Sequence, residues 1–189
     1  MIITLKDKNS VWVGVSTEAS SFEIHKEDVI REDNLKMWRV DGVENCLIAS
    51  LHGGGIDLDR LRYRKHLGLS APLNLSNLIT KTVPKLKNLF EECGMMDGKE
   101  SWQTLVVAKG DKAFVILPNF TCCEVENFEV CSKRSWENVA YGALAFHREL
   151  PPVERITEAF RTIREMKQVN HFPIVIMNTM TKDRVVIYE

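Results

Sequence analysis

Long apolar runs are missing from this chain of 189 residues. Its longest fall far short of the roughly 20 residues a membrane-spanning helix needs, so no membrane association is expected. An excess of charge is missing too. Lys and Arg number 25 against 26 Asp and Glu, a formal net charge of -1. That leaves no general electrostatic case for nucleic acid or an anionic membrane as a partner. Paired cysteines of the metal-binding kind are absent. The five cysteines (Cys46, Cys93, Cys122, Cys123 and Cys131) are odd in number and contain no C-x-x-C. With no signal peptide at the start, this pattern predicts free thiols in a reducing cytoplasm. The five histidines are scattered, and none stands at helical or strand spacing from a second ligand. No cofactor or metal is therefore expected. Repeats, low-complexity tracts and clear linkers are also lacking, which favours one domain over residues 1–189.

What is present is patterned. Ile2–Lys6 and Val11–Thr17 are short runs rich in β-branched residues, separated by Asp7-Lys8-Asn9-Ser10, and read as a hairpin. Glu18–Asn34 is polar and irregular. Met37–Val40 and Cys46–Leu51 flank a turn at Asp41-Gly42 and form a second hairpin. The triplet Gly53-Gly54-Gly55 then opens a charged helical segment, Ile56–His66. Asn74–Glu92 follows with apolar residues at a period near 3.6; Asn74 is its N-cap, Gly94 its stop, and Pro84 predicts a kink or break. Strands return at Trp102–Ala108 and Ala113–Leu117 around Lys109-Gly110-Asp111-Lys112, with Thr121–Val130 as a third. Ser135–Leu150 is a helix ended by Pro151-Pro152, and Pro152 opens the next helix, whose buried face is Val153, Ile156, Phe160 and Ile163. Phe172–Asn178 and Arg184–Tyr188 close the chain as strands. Helix pairs between antiparallel strand groups imply an α+β fold, a four-layer α/β/β/α sandwich of two antiparallel sheets between helix layers. The run Ile174-Val175-Ile176-Met177 fits a strand covered on both faces.

Several residue groups invite a chemical reading and carry little. His52-Gly53-Gly54-Gly55 is similar to the oxyanion-hole loop of lipase-like hydrolases, but that chemistry needs a G-x-S-x-G elbow, which the chain does not contain. A close strand-to-helix crossing explains the glycines. Asp57 and Asp59 already satisfy the helix start that follows, which argues against a phosphate there. Cys122-Cys123 with any of His25, His52, His66, His147 or His171 would make a thiol site. Adjacent strand residues face opposite ways, however, so at most one enters a pocket, and buried cysteine is the expected outcome.

The order of elements, with these lengths, resembles the proteasome subunits and the related bacterial two-tier peptidase. Ile3-Thr4-Leu5 is similar to that family's first strand and Val11–Thr17 to its second. Lys36 is similar to its catalytic lysine, Leu47–Gly55 to the next strand with its glycine-rich exit, and Tyr141-Gly142-Ala143-Leu144 to the opening of its third helix. The resemblance implies the N-terminal-nucleophile (Ntn) hydrolase sandwich and assembly into rings. It also implies a chemistry that needs a terminal Thr, Ser or Cys whose own α-amine serves as base, beside a lysine held by an aspartate.

The chain departs from that pattern. It opens Met1-Ile2, where the bulky second residue predicts retention of Met1 and its thioether is no acyl-transfer nucleophile. The family's aspartate falls at about Ser16. Its Asp-x-x-Ser-Gly-Gly segment falls at about Lys167–Phe172, where none of it is visible. The resemblance therefore implies a catalytically silent pseudoenzyme acting through self-assembly as a homo-oligomer or by binding a protein partner. Exposed apolar residues on Ile56–His66 or Asn74–Glu92 would favour this. The alternative is an active peptidase or amide hydrolase, through N-terminal processing or an unfamiliar nucleophile, with Ser16, Thr17 and Lys36 lining the remnant site.

Overall fold

The structure, a computed structural model, describes residues 1–17, 36–52, 61–63, 67–132, 136–167 and 171–188. Expectations for Glu18–Asn34, for the glycine triplet and for most of Ile56–His66 lie outside these residues; within the last, Leu61–Tyr63 are helical.

β1 (Ile2–Asp7) and β2 (Ser10–Ser16) form the expected hairpin, with Ile2 opposite Val15 and Asp7 opposite Ser10. Side chains alternate across a strand. On β2 this sends Val11, Val13 and Val15 to one face and Trp12 and Gly14 to the other. β3 (Met37–Arg39) pairs with β4 (Cys46–Ser50), and β7 (Leu105–Lys109) joins β4 and β8 (Lys112–Ile116). β9 (Cys122–Glu124) completes that sheet, in the order β3-β4-β7-β8-β9. The second sheet runs β10-β1-β2-β11-β12, where β10 is Phe128–Cys131, β11 Ile174–Asn178 and β12 Arg184–Ile187. A small hairpin, β5 (Met96–Asp97) and β6 (Glu100–Ser101), stands apart.

Three apolar layers result. Val11, Val13, Val15, Leu47, Ala49, Val106, Val115, Val175 and Met177 fill the space between the sheets. Ile48, Val107 and Phe114 face the other way, onto helix α1. This helix runs as α-helical Leu75–Asn77, π-helical Leu78–Thr82 and α-helical Val83–Glu92. Ile3, Leu5, Ile174 and Ile176 meet the other helix layer, formed by α2 (Glu137–Phe146) and α3 (Pro152–Lys167), through Leu144, Ile156, Phe160 and Ile163. The run Ile174–Met177 is thus buried on both faces, as its composition requires.

The structure corrects two details. Thr121–Val130 is two strands in two sheets, not one. Val125 N–H reaches Ala113 O and ends the pairing with β8; after Glu126, Lys6 N–H reaches Asn127 O and β10 continues beside β1. The chain crosses between sheets where its apolar run is broken by polar residues. The strand expected from Trp102 begins at Leu105, because Met96–Ser101 turns back on itself at Gly98 (φ 61°) and leaves Trp102 exposed. Pro84 interrupts the regular winding of α1 without ending the helix. It lacks the N–H that Thr80 O would accept, and the turn just before it is widened into the π-helical stretch. The ends of α1 follow the sequence. Asn74 Oδ1 accepts from Asn77 N–H at 2.9 Å. Gly94 at φ 67° closes a paired cap, with Gly94 N–H to Glu91 O and Met95 N–H to Phe90 O.

Helix α3 lies directly on β2 because position 14 is glycine. A Cβ there would stand 2.6 Å from Ile156 Cγ2 and 3.6 Å from Phe160. Gly14→Ala is expected to lower stability by about 1–3 kcal/mol, and by clearly less in an Ile156→Ala background; urea denaturation of the four proteins of that cycle measures it. In mid-β1, the Thr4 hydroxyl is buried without a hydrogen-bond partner among the described residues. Thr4→Val should raise the urea midpoint, by about 1 kcal/mol.

Candidate functional site

The two ends of the sandwich are distinguished by hydrogen bonds. Thr179, just past β11, accepts from Val11 N–H and donates to Gly110 O, so the β1–β2 and β7–β8 turns share one end. Met1, Ser16 and the start of β3 at Lys36 therefore share the other.

At that end the register places Met1 beside Ser16. The α-amino nitrogen of Met1 donates to Ser16 Oγ at 2.7 Å, and Ser16 N–H donates to Met1 O at 3.1 Å. Ser16 is fully buried, and Oγ also lies 3.4 Å from Met1 O. The Met1 side chain does not point between the sheets. It is buried with Ile3, Phe172 and Ile174 in the layer under α2 and α3. Thr17 turns elsewhere: its Oγ1 donates to Pro173 O at 2.5 Å and its N–H to the same oxygen at 3.1 Å. Pro173 follows a cis peptide after Phe172. Behind it, His171 is buried with its ring edge-on to Trp136 at 4.8 Å and to Phe160 at 5.9 Å, while the Arg164 guanidinium covers Phe172 at 5.1 Å.

Lys36 stands half-buried at the head of β3, where its carbonyl accepts from Ser50 N–H at 2.7 Å. Ser50 belongs to a buried polar set at this end. Its Oγ lies 2.5 Å from His52 O and 2.6 Å from Gln103 Oε1. A hydroxyl has one proton to give, so the amide orientation that satisfies both contacts turns the Gln103 NH₂ toward Ser50.

The structure thus brings Met1 and Ser16 into contact, joins Thr17 to Pro173, and sets Lys36 at the same end through its backbone. Sequence reasoning did not find the Pro173 carbonyl or the Ser50–Gln103 pair. Only the Phe172-Pro173 dipeptide offered a signal, and it straddles the end of the segment Lys167–Phe172, which was matched against a motif it does not contain. As chemistry, a hydroxyl 2.7 Å from an amine has nucleophile–base spacing. Here both atoms are enclosed and the amine is the donor.

The thiols take no part. All five cysteines are free. Contrary to expectation, Cys123 is exposed and Cys122 half-buried, because β9 is the edge of its sheet among the described residues. Cys46 and Cys131 are buried, and burial pushes both thiols up from 9.0 to about 12. For Cys131, Glu129 and Glu137 add to the rise and the α-ammonium opposes it. Among the described residues, no group of three His, Cys, Asp or Glu is placed to hold a metal ion.

Neither a protein-family model nor a curated protein sequence matches the chain. Solved structures do match. BPH of Thiobacillus denitrificans superimposes with a TM-score of 0.68 at 13% identity, over 96% of this chain and 99% of that one. The same protein is known in complex with epoxomicin. Eukaryotic HslV from Trypanosoma brucei gives a TM-score of 0.59 at 11% identity, over 94% of this chain and 97% of that one. Anbu (ancestral beta-subunit) from Yersinia bercovieri gives 0.63 at 10% identity, over 100% and 87%. The two antiparallel sheets between helix layers are therefore those of the proteasome-like Ntn hydrolases, a likeness of fold.

Removing the Ser16 hydroxyl leaves a buried ammonium without that acceptor. Ser16→Ala is expected to cost about 1–3 kcal/mol in urea unfolding. The two buried thiols set an alkaline limit. Their folded values lie above 9.0, so their contribution is whole below pH 9.0 and is lost as pH rises toward about 12. The urea midpoint should fall over that window, and fall less in the Cys46→Ala/Cys131→Ala protein.

Proposed function

We propose that this protein is a catalytically silent, proteasome-subunit-like member of the Ntn-hydrolase fold that acts in the cytoplasm by assembling with copies of itself or by binding a protein partner. The observation that carries the proposal is the state of the first residue. The Ntn mechanism needs a hydroxyl or thiol at the head of β1, open to a substrate carbonyl. That place holds Met1, whose thioether is packed under α2 and α3 and whose amine is engaged by Ser16. Ser16 and Thr17 are buried with their hydroxyls committed, the second to a main-chain carbonyl. Thr4 offers no substitute terminus: it sits in mid-strand between Val13 and Glu129, and a start there would strip the Ile2 and Ile3 pairs from the sheet.

Self-assembly is supported by what the surface exposes. Tyr63, Leu75 and Ile79 are exposed apolar residues on the two segments singled out for this test. On the opposite helix layer, Phe146 is 83% exposed and Met166 64%. These two line an apolar hollow of about 450 Å³ between α2 and α3, with Val139 and Ala143. Apolar side chains grouped on a helical surface mark interaction sites. No described helix is long and apolar enough to cross a membrane.

The 2.7 Å spacing of amine and hydroxyl favours one second reading, an amide hydrolase using Ser16. Epoxomicin, which BPH binds, separates the two. Intact mass after treatment is expected to show the unmodified chain; an adduct at Ser16, at Thr17 or at a newly exposed terminus would establish the hydrolase. Light scattering should report an oligomer, and Ile79→Asp and Phe146→Asp should each weaken association roughly tenfold or more if those faces form it. A monomer at all concentrations would leave binding to a different protein as the surviving role.

A further inference from the structure

At the end of the sandwich opposite Met1, three consecutive main-chain carbonyls converge on one ammonium. Lys109, the last residue of β7, holds Nζ 2.7 Å from Leu69 O, 3.2 Å from Ser70 O and 3.0 Å from Ala71 O. An ammonium has three donors and no acceptor, so these oxygens take all of them. Carbonyls of successive residues in an extended chain point in alternate directions. Aiming three at one point brings partial negative charges together, an arrangement that a cation between them stabilises.

The carbonyls belong to the irregular stretch Leu67–Asn74, which leads into α1. Leu67, Leu69 and Leu73 are buried beneath it. Gly68 (φ 80°) passes so close to α1 that a Cβ would stand 3.1 Å from Lys81 O. The stretch also walls two cavities, of about 600 and 530 Å³, that share Gly42, Val43 and Ser70; Lys109 lines the larger. Ser70 therefore lies where the two cavities meet.

We propose that Leu69–Ala71 forms a monovalent-cation site occupied by the protein's own lysine, and that this ammonium is a latch holding the strap Leu67–Asn74 against the sheet. Carbonyl oxygens in a converging set are the ligands of ions such as potassium, and the contacts of 2.7–3.2 Å suit ammonium equally. Latched, the strap holds Ser70 in the lining of both cavities, and with the charge of Lys109 removed that lining is released.

Amide hydrogen exchange on Lys109→Ala and Lys109→Met tests this. Both variants are expected to exchange Leu67–Asn74 roughly tenfold faster or more, with the sheet amides unchanged. In Lys109→Ala, methylammonium should restore protection, and tetramethylammonium, too large for the cage, should not at the same ionic strength. Lys109→Met keeps the apolar stem and loses only the charge, so it reads the latch even where the alanine variant folds poorly. Unchanged exchange in the strap of Lys109→Met would overturn the proposal, as would equal restoration by both cations, which is a general salt effect.

Discussion

Val11, Val13 and Val15 of β2 face leucine, alanine and valine side chains from the other sheet, and this dry seam is the constraint on which the molecule depends. Because each sheet is apolar on the seam side and again on its helix side, β11 is buried at every position and apolar from Ile174 to Met177. Such a strand carries no alternation to set its own register, which is set by its partners and by the fit of its side chains. The pairings of β2 with β1 and β11 then fix where everything at the strand ends must lie. Met1 falls beside Ser16, and Thr17 beside Pro173.

That placement governs the corner at Met1. Strand alternation decides which way residue 1 looks. Met1 shares its parity with Ile3 and Leu5, which serve the helix-side core, and it joins them. The amine then lies against Ser16, and the site becomes a closed hydrogen-bonded corner. The opposite end is tied by different means. Thr179 links the turns of both sheets, and the Arg39 guanidinium reaches from β3 to Asn178 O and Thr181 O beyond β11. One end thus holds the Met1–Ser16 corner, and the other ties the turns of both sheets together and carries the contacts of Lys109 with Leu69–Ala71.

The helix layers complete the division of labour. Their inner faces are filled by Leu86, Leu89 and Phe90 on one side and Ile156, Phe160 and Ile163 on the other. Their outer faces keep Ile79 and Phe146 in water.

The sequence by itself determined the elements and their faces. The β-branched runs, the Asn74 cap, the Gly94 stop and the Pro151-Pro152 boundary act locally, through backbone preferences that hold wherever the chain goes. Only the tertiary structure decided the rest. The division of Thr121–Val130 between two sheets, the tie from Thr17 to Pro173 across 156 residues and the meeting of Lys109 with Leu69–Ala71 across a span of 38 to 40 all depend on long-range pairing. No local spacing encodes such contacts, because a carbonyl oxygen has no residue identity. Every position carries one, and the fold alone selects which of them a hydroxyl or an ammonium will meet.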